Sequence, residues 1–580
     1  LVSSTVASKT VMTQLAETGT HTSPVPEERR SSAVLSPDEA VSLASLGVRI
    51  EDLYGVPMDI EWAVHNGEFV ILQARPVTAL VSRDEWNDSL LGDYLWTNGN
   101  VSEAVPSVMT PVTWSVIQAL AMPPIAGHPT SGNIGGRFYL NLSVTMAMAN
   151  AFGMGKSVRQ TSSETFGQIP DDVPPLPMSR WAVIKAALPV AFLFMKQGRA
   201  YKKNLSSLLA TTPSRCSSLR SQIAATDSPA ALLALWRSDV DDLLRVVCQT
   251  LDVGARQVGA AKLGPALRAL VGEADANALL SGLHSSGLAS LGPMLGLAQV
   301  HRGEVSLEAY AEEWGHRGPD EYELFVARPG EDPSSITVAD DSPEKLLDRQ
   351  STVRTEAWER LTARYPRKAG RIQRQLDRAA SVATVRERAR SEMVRTFWVF
   401  RAFVLRAGEL TGHGDDLFFL TLPEILTVLG GDSEPLASVA ARRSAYAYYS
   451  SLPPCPALIR GRFDPSSVRS TSGSDIVGFA GGGGIYEGVA RVVHSVSEAQ
   501  SLSPGEVLVT AVTNVGWTPL FPRAGAVVTD VGAPLSHAAI VARELGIPAV
   551  VGCGNATSVL ATGDRVRVDG GLGVVARLSP

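Results

Sequence analysis

The chain has 580 residues, 45% of them hydrophobic and 19% charged, with a net charge of −6 at pH 7; the length allows more than one domain and the composition is that of a globular protein. The acidic balance excludes the basic surplus expected of a nucleic-acid binder. Cys216, Cys248, Cys455 and Cys553 are widely spaced with no Cys-x-x-Cys pair, so free thiols in a reducing, cytoplasmic setting are expected and no zinc signature is present.

The chain opens LVSSTVASKTVMTQLAE, without the basic start and apolar stretch of a signal peptide. The next informative segment is 47–80. Asp59-Ile60-Glu61-Trp62-Ala63-Val64 alternates, His65-Asn66-Gly67 turns, and Glu68 to Arg75 runs back, which predicts a hairpin. Period-two geometry puts Asp59 and Glu61 on one face of the first strand, and Gln73 and Arg75 on one face of the second. A carboxylate, an amide oxygen and a guanidinium fork suit Mg²⁺ and a triphosphate; an edge hairpin with solvated polar groups is the other reading.

From about Trp86 to Arg460 the pattern is mostly helical. Leu232, Leu235 and Trp236, then Val240, Leu243, Leu244 and Val247, keep a helix period, as do Leu279, Leu280 and Leu283 and the charged run Arg374 to Arg406. Trp96 to Glu103 and Gly136 to Asn141 read as short non-helical pieces. Trp181 to Met195 is apolar apart from Lys185, but it is short for a membrane span and contains Pro189; a buried or substrate-lining helix is expected, and no membrane association. In the loop Trp314-Gly315-His316-Arg317-Gly318-Pro319-Asp320-Glu321-Tyr322-Glu323 a His, an Arg and two carboxylates sit among glycines. They could bind a phosphoryl group or polarise an acceptor hydroxyl, or simply cap helices in a tight turn. His413, in GELTGHGDDLFF, reads as a turn residue. Ser470 to Gly484, ending in four glycines, reads as a flexible hinge and hairpin entry.

In the last hundred residues six strands are expected, at 488–493, 506–510, 525–530, 548–552, 565–569 and 574–578, with one clear helix from Ser536 to Leu545. A Gly-Ala-Pro turn leads into Ser536 and His537. Ser is a preferred N-cap, so His537 falls in the first helical turn, where unpaired N–H groups and the positive end of the helix dipole can hold an anion. That is a suitable place for a phosphohistidine, and equally for an N-terminal-turn His of a βα unit.

Gly532 to Val550 reads Gly-x-x-x-Ser-His-Ala-Ala-x-Val-Ala-Arg-Glu-x-Gly-Ile-Pro-Ala-Val. This resembles the swivelling phosphohistidine domain of the phosphoenolpyruvate synthases, pyruvate phosphate dikinases and rifamycin phosphotransferases. Thr513 to Phe521 resembles that family's Thr-Asp-Pro-x-Trp-Thr-Pro-Leu-Phe loop, departing from it at Asn514 and Val515; Leu535 stands where the dikinases usually have Thr. Asp59 to Ala63 with Ile71 to Pro76 is similar to the last hairpin of the family's ATP-grasp nucleotide domain. Residues 26–30 and 35–39 fit the segment before it, and Lys9 could be the family's lysine in this stretch. Trp96 to Glu103, Gly136 to Asn141, Gly315 to Pro319 and Gly408 to Phe419 also resemble pieces of the middle domain.

The resemblance implies a multidomain α+β protein. Residues 1–80 are expected to be the C-terminal remnant of an ATP-grasp domain, 81–469 a helical acceptor domain, 470–484 a linker, and 485–580 the swivelling β/β/α domain. The implied function is an ATP-dependent phosphotransferase of dikinase type. The β-phosphoryl of ATP passes to His537 and then to a hydroxyl of a small-molecule acceptor, releasing AMP and phosphate. His537 is implied as carrier with Ser536 at its helix start, Glu61 and Gln73 as Mg²⁺ ligands, and Arg75 as a contact of the ATP phosphates. His316 is expected to deprotonate the acceptor and Arg317 to hold the phosphoryl group. The eleven residues after Asp569 leave no room for a phosphoenolpyruvate-binding barrel, so the acceptor is expected in the helical middle domain. The family's nucleotide domain begins further upstream, so a separate or missing N-terminal nucleotide partner is expected. A prodigiosin-type condensing synthetase and a non-catalytic truncated paralogue are the alternatives.

Overall fold

The computed structural model describes residues 6, 8–16, 19–54, 58–76, 85–99, 101–166, 169–244, 263–281, 289–336, 343–453, 455–467, 476–534 and 536–578. The chain divides into two compact units, Leu1–Ser82 and Arg83–Pro580; both helix and sheet are present.

In the first unit β1 (Val11–Leu15) pairs antiparallel with β2 (Thr20–Pro24), the helix Pro37–Tyr54 follows, and β3 (Met58–His65) pairs antiparallel with β4 (Glu68–Pro76). The predicted turn is present: Asn66 and Gly67 both have positive φ, 51° and 83°, as a two-residue hairpin of this twist demands. The register sets Glu61 opposite Gln73 and Asp59 opposite Arg75, so the four polar side chains share one face.

The second unit begins with a small sheet that closes a long stretch of chain. β5 (Leu95–Thr97) lies between β7 (Arg137–Asn141) and β8 (Leu458–Arg460), with β6 (Ser131–Ile134) outside β7. Helices fill the rest. The longest described are Arg180–Ala225 and Pro366–Thr411, each of 46 residues. The charged run read as helical lies in the second, whose C-terminal half carries buried Phe397, Phe400, Phe403 and Val404. These pack with Trp236, Leu417 and Phe418 in the main helical core. Leu232 to Val240 is helical as expected, with a π turn at Trp236–Val240; Val247 and Leu283 lie outside the described residues. The apolar segment 181–195 belongs to the helix Arg180–Ala225; of its described side chains Val183 and Ala187 are buried, whereas Trp181, Leu188 and Phe192 are exposed. Among the described residues no helix is long and apolar enough to cross a membrane. Cys216, Cys455 and Cys553 are free thiols.

An eight-stranded sheet forms the C-terminal part, in the order β10-β14-β13-β12-β11-β15-β16-β9. The strands are β9 (Ile476–Val477), β10 (Phe479–Gly482), β11 (Ile485–Val492), β12 (Val507–Thr510), β13 (Ala526–Thr529), β14 (Ala549–Val551), β15 (Arg565–Asp569) and β16 (Val574–Arg577). The six strands and the helix read from the sequence are all present, within a few residues of the expected ends. β12, β13 and β14 run parallel and are buried at every position, which is why they read as unbroken apolar runs. Their side chains alternate between two cores: Leu508, Val527 and Val551 on one side, Val507, Val509, Ala526, Val528 and Val550 on the other.

Part of the expected linker at 470–484 is in strands, Ile476–Val477 and Phe479–Gly482. Gly481 and Gly482 lie in β10, paired with β14, and a Cβ on Gly481 would come within 3.0 Å of the Ala549 carbonyl oxygen. The glycines let two backbones approach closely; they do not form a free hinge. Residues 470–475 lie outside the described residues.

Candidate functional site

His537 begins the helix His537–Leu545. Ser536 is its N-cap, with the hydroxyl accepting from the Ala539 N–H at 3.3 Å, and Gly546 closes the helix in the left-handed conformation at φ 69°. These are the start and stop signals the sequence carries. His537 is 4% exposed. Thr518 Oγ1 lies 3.1 Å from its Nε2 and Thr513 Oγ1 3.5 Å from its Nδ1. Phe521 meets the ring edge-on, with centroids 6.1 Å apart. The loop Thr513 to Phe521 thus cradles the imidazole, mostly as a 3₁₀ segment, Val515–Arg523, capped by Asn514.

The other walls come from the helical region. The backbone N–H of His537 donates to Glu103 Oε2 at 2.8 Å. Arg390, Glu387 and Arg317 act on the imidazole electrostatically. Burial, then the Arg390 charge, pushes the His537 pKa down to about 3, with Arg317 adding to the effect and Glu387 opposing it. The ring is therefore neutral at pH 7, and one of its nitrogens carries a lone pair of the kind a nucleophile needs. Glu387 lies below its ordinary pKa: burial raises it, but Arg386, Arg390 and Arg317 outweigh that.

Arginine donors converge here. Arg317 pairs with Glu321 at 2.8 Å, both side chains fully buried, and Arg390 lies 3.5 Å from the same carboxylate. Arg386 pairs with Glu387 at 2.9 Å. Yet Nη1 of Arg317, Nε of Arg386 and Nε of Arg390 are buried without a hydrogen-bond partner. Buried guanidinium N–H groups are rarely left unbonded. Beside a nucleophilic imidazole and a helix N-terminus they are suited to a phosphoryl group.

Of the residues expected from sequence, Ser536, His537 and Arg317 come together. His316 precedes Arg317 in the same loop. It is fully buried, its Nε2 lies 2.8 Å from Ser391 Oγ, and its Nδ1 has no hydrogen bond. Burial, helped by Arg395, Arg317, Arg220 and Arg328, holds its pKa well below the ordinary value. An imidazole so hard to protonate is a poor base, and its hydroxyl partner favours the turn-residue reading. Glu323, in the same loop, accepts from the Thr110 N–H and from the Thr110 and Thr113 hydroxyls and serves packing. His413 is an exposed turn residue. Glu103, Arg386, Glu387 and Arg390 were missed. Glu103 ends a short non-helical piece of sequence that carries no catalytic pattern, and the other three sit in a charged helical run that, read alone, looks like a solvated face.

Close backbone contact holds this arrangement. A Cβ on Gly516 would stand 2.6 Å from Pro319 Cδ and 2.9 Å from the Gly318 carbonyl carbon, so the cradle loop lies directly on the Gly318-Pro319 turn. Leu291, Met294 and Leu347 of the helical region share a core with Ala538, Val541 and Leu545. Gly516→Ala is therefore expected to weaken docking of the C-terminal part by about 1–3 kcal/mol, the usual cost of overpacking. Hydrogen exchange at the His537 amide should speed up roughly tenfold per 1.4 kcal/mol, with the core strands β12 and β13 unchanged.

In the first unit Asp59, Glu61, Gln73 and Arg75 are exposed on their shared face, and Arg75 pairs with Asp59 at 3.0 Å. Glu61 and Gln73 offer oxygen donors of the kind Mg²⁺ takes, and among the described residues no group of three or more His, Cys, Asp or Glu is gathered to hold a metal.

Residues 502–573 match the family described as PEP-utilising enzyme, mobile domain, and residues 1–89 match the pyruvate phosphate dikinase, AMP/ATP-binding domain. The chain is 26% identical to a rifampicin phosphotransferase of a Streptomyces species, over 97% of this chain and 71% of the relative. It is 25% identical to a prodigiosin synthesizing transferase of Serratia marcescens, over 95% of this chain and 71% of the relative. An uncharacterised protein of Mycobacterium tuberculosis is 36% identical over 45% of this chain and 30% of its own length. Together these matches support a phosphotransferase of the kind that uses ATP or phosphoenolpyruvate. The chain is a homologue of the rifampicin phosphotransferases over nearly its whole length, with His537 inside the segment that matches the PEP-utilising mobile domain and a match to the AMP/ATP-binding domain at its start.

Proposed function

We propose that the chain phosphorylates a hydroxyl of a small-molecule acceptor through a phosphohistidine at His537, with ATP as the donor. The observation that carries this reading is the neutral, buried imidazole set among three arginines with unbonded N–H groups. The covalent intermediate divides one difficult transfer into two easier ones. In the docked position Arg317, Arg386 and Arg390 would hold the phosphoryl oxygens, and Thr513 and Thr518 would orient the ring. The surrounding core would exclude bulk water and strengthen each of these interactions. At the hairpin, Glu61 and Gln73 would ligand Mg²⁺ and Arg75 would contact ATP phosphates once released from Asp59. The metal would supply charge neutralisation for the donor phosphates. The acceptor would bind in the helical region, since the docked His537 faces it; a rifamycin-type antibiotic is the first candidate, from the similarity to rifampicin phosphotransferases.

The test is incubation of the chain, supplied with a complete N-terminal nucleotide domain, with β-labelled ATP and rifampicin, followed by mass spectrometry of the antibiotic. The expected product is a monophosphate carrying the β-label, with AMP and phosphate formed alongside. Label from the γ-position in the product would overturn the dikinase-type route. A condensed product in place of a phosphate ester would favour the synthetase reading, which the similarity to the prodigiosin synthesizing transferase supports.

The docked state is also expected to be acid-sensitive. The pKa of His537 in this position, about 3, lies below its ordinary 6.5, so the open or unfolded chain takes up a proton that the docked chain does not. The stability from this group is present above pH 6.5 and is lost as pH falls from there toward 3. His537→Asn cannot take up that proton. Its melting temperature should therefore fall less than that of the wild type between pH 7.5 and 5; equal falls would rule out His537 as the source.

A further inference from the structure

The second transfer needs a group to accept the hydroxyl proton. The charged side chains around His537 differ in their freedom to do so. Glu321 is paired with Arg317 and Arg390, and Glu387 with Arg386. His316 is bonded to Ser391. Glu103 stands apart. It is 2% exposed, with Oε2 bonded to the His537 N–H at 2.8 Å, and its Oε1 is buried with no hydrogen bond. The bond to His537, with the Ser536 side chain beside it, fixes the carboxylate to the residue that carries the phosphoryl group in the proposed reaction; Oε1 is left without a partner and can take a proton.

Resting on that reaction, we propose that Glu103 is the general base, taking the proton of the acceptor hydroxyl as the phosphoryl group leaves His537. One ring nitrogen carries the phosphoryl group and the other a proton. The hydroxyl O–H bond breaks with its proton going to Glu103, the O–P bond forms, and the P–N bond breaks with its electron pair remaining on nitrogen. The products are a phosphate monoester, neutral His537 and protonated Glu103, which later releases its proton to solvent. The groups acting on Glu103 are the His537 N–H and Ser536 of the C-terminal part and Arg390 and Arg386 of the long helix. Burial pushes its pKa up to about 7 against all four, a strength suited to a base at neutral pH. The bond between Glu103 and the His537 helix also forms only in the docked position, so base and phosphoryl group would meet only there.

The full chain can be loaded with phosphoramidate, which phosphorylates histidine without a nucleotide site. Loss of acid-labile phosphate to water, the simplest hydroxyl, is then followed from pH 6 to 8. In the wild type the rate should rise through about pH 7. In Glu103→Gln, which keeps volume and an acceptor oxygen for the His537 N–H, the rise should vanish and the rate at pH 8 should fall about a hundredfold, within the usual range for removing a base. Glu103→Asp should keep the rise at a reduced rate, and supplies the test if the Gln variant does not fold. Loading of His537 with equal rates in wild type and Glu103→Gln, or a wild-type profile with no rise near pH 7, would overturn the base while leaving the carrier intact. Failure of His537 to load would overturn both.

Discussion

Replacing His537 by alanine is expected to abolish covalent phosphorylation of the chain, whether phosphoramidate or ATP is the donor. The two other histidines singled out in the sequence differ from His537: His316 is bonded to Ser391 and sealed in the core, and His413 is exposed. The chemistry of His537 depends on features that alanine removes together, a neutral imidazole lone pair and its placement beside unbonded guanidinium N–H groups. The helix itself should survive, because Ser536 still caps it and alanine is the best helix former. Circular dichroism should therefore be unchanged while acid-labile phosphate falls to background. Stoichiometric acid-labile label on His537→Ala would sink the carrier assignment.

Replacing Arg317 by methionine is expected to cost stability as well as activity. Arg317 and Glu321 are both fully buried and 2.8 Å apart. Removing one partner of a buried pair leaves the other charge uncompensated, a loss of about 3–5 kcal/mol. Arg390, 3.5 Å from Glu321, would relieve part of it. The double variant Arg317→Met with Glu321→Gln removes both charges and should recover most of the loss in a denaturant titration. Activity should not recover with it, because the Nη1 donor that the proposed reaction sets against the phosphoryl group is still missing. Recovery of both would make Arg317 purely structural; recovery of neither would point to a packing defect.

Arg317 also shows how the two sources of information differ. From sequence it is a cation in a Gly-rich loop, which could bind phosphate or cap a helix. The difference was made by the long helix Pro366–Thr411, whose Arg386, Glu387 and Arg390 reach the same point. In the sequence these three sit in a charged run, and a charged run carries no mark of which residues will be covered. His316, one position away and expected to deprotonate the acceptor, is bonded to Ser391. Adjacent residues of an irregular turn project differently, and no periodicity exists there from which to assign a face.

The local features were legible because their causes are local. The Asn66-Gly67 turn follows from the positive φ it needs, and the start of the His537 helix from a serine able to cap it. The parallel strands follow from apolar runs that need burial on both faces. The last four glycines before β11 misled for the same reason. A glycine run fits a loose hinge and a close backbone approach equally, and only the neighbouring strand β14 shows which applies. By itself, then, the sequence determined the secondary structure around His537, the cap that holds it and the polar face of the first hairpin. The tertiary structure alone decided which distant groups surround it: Glu103, 434 positions away, bonds its backbone, and three arginines bring N–H groups that have no hydrogen-bond partner. Hydrogen bonding and helix capping act over a few residues, whereas burial of charge depends on what the rest of the chain folds against it.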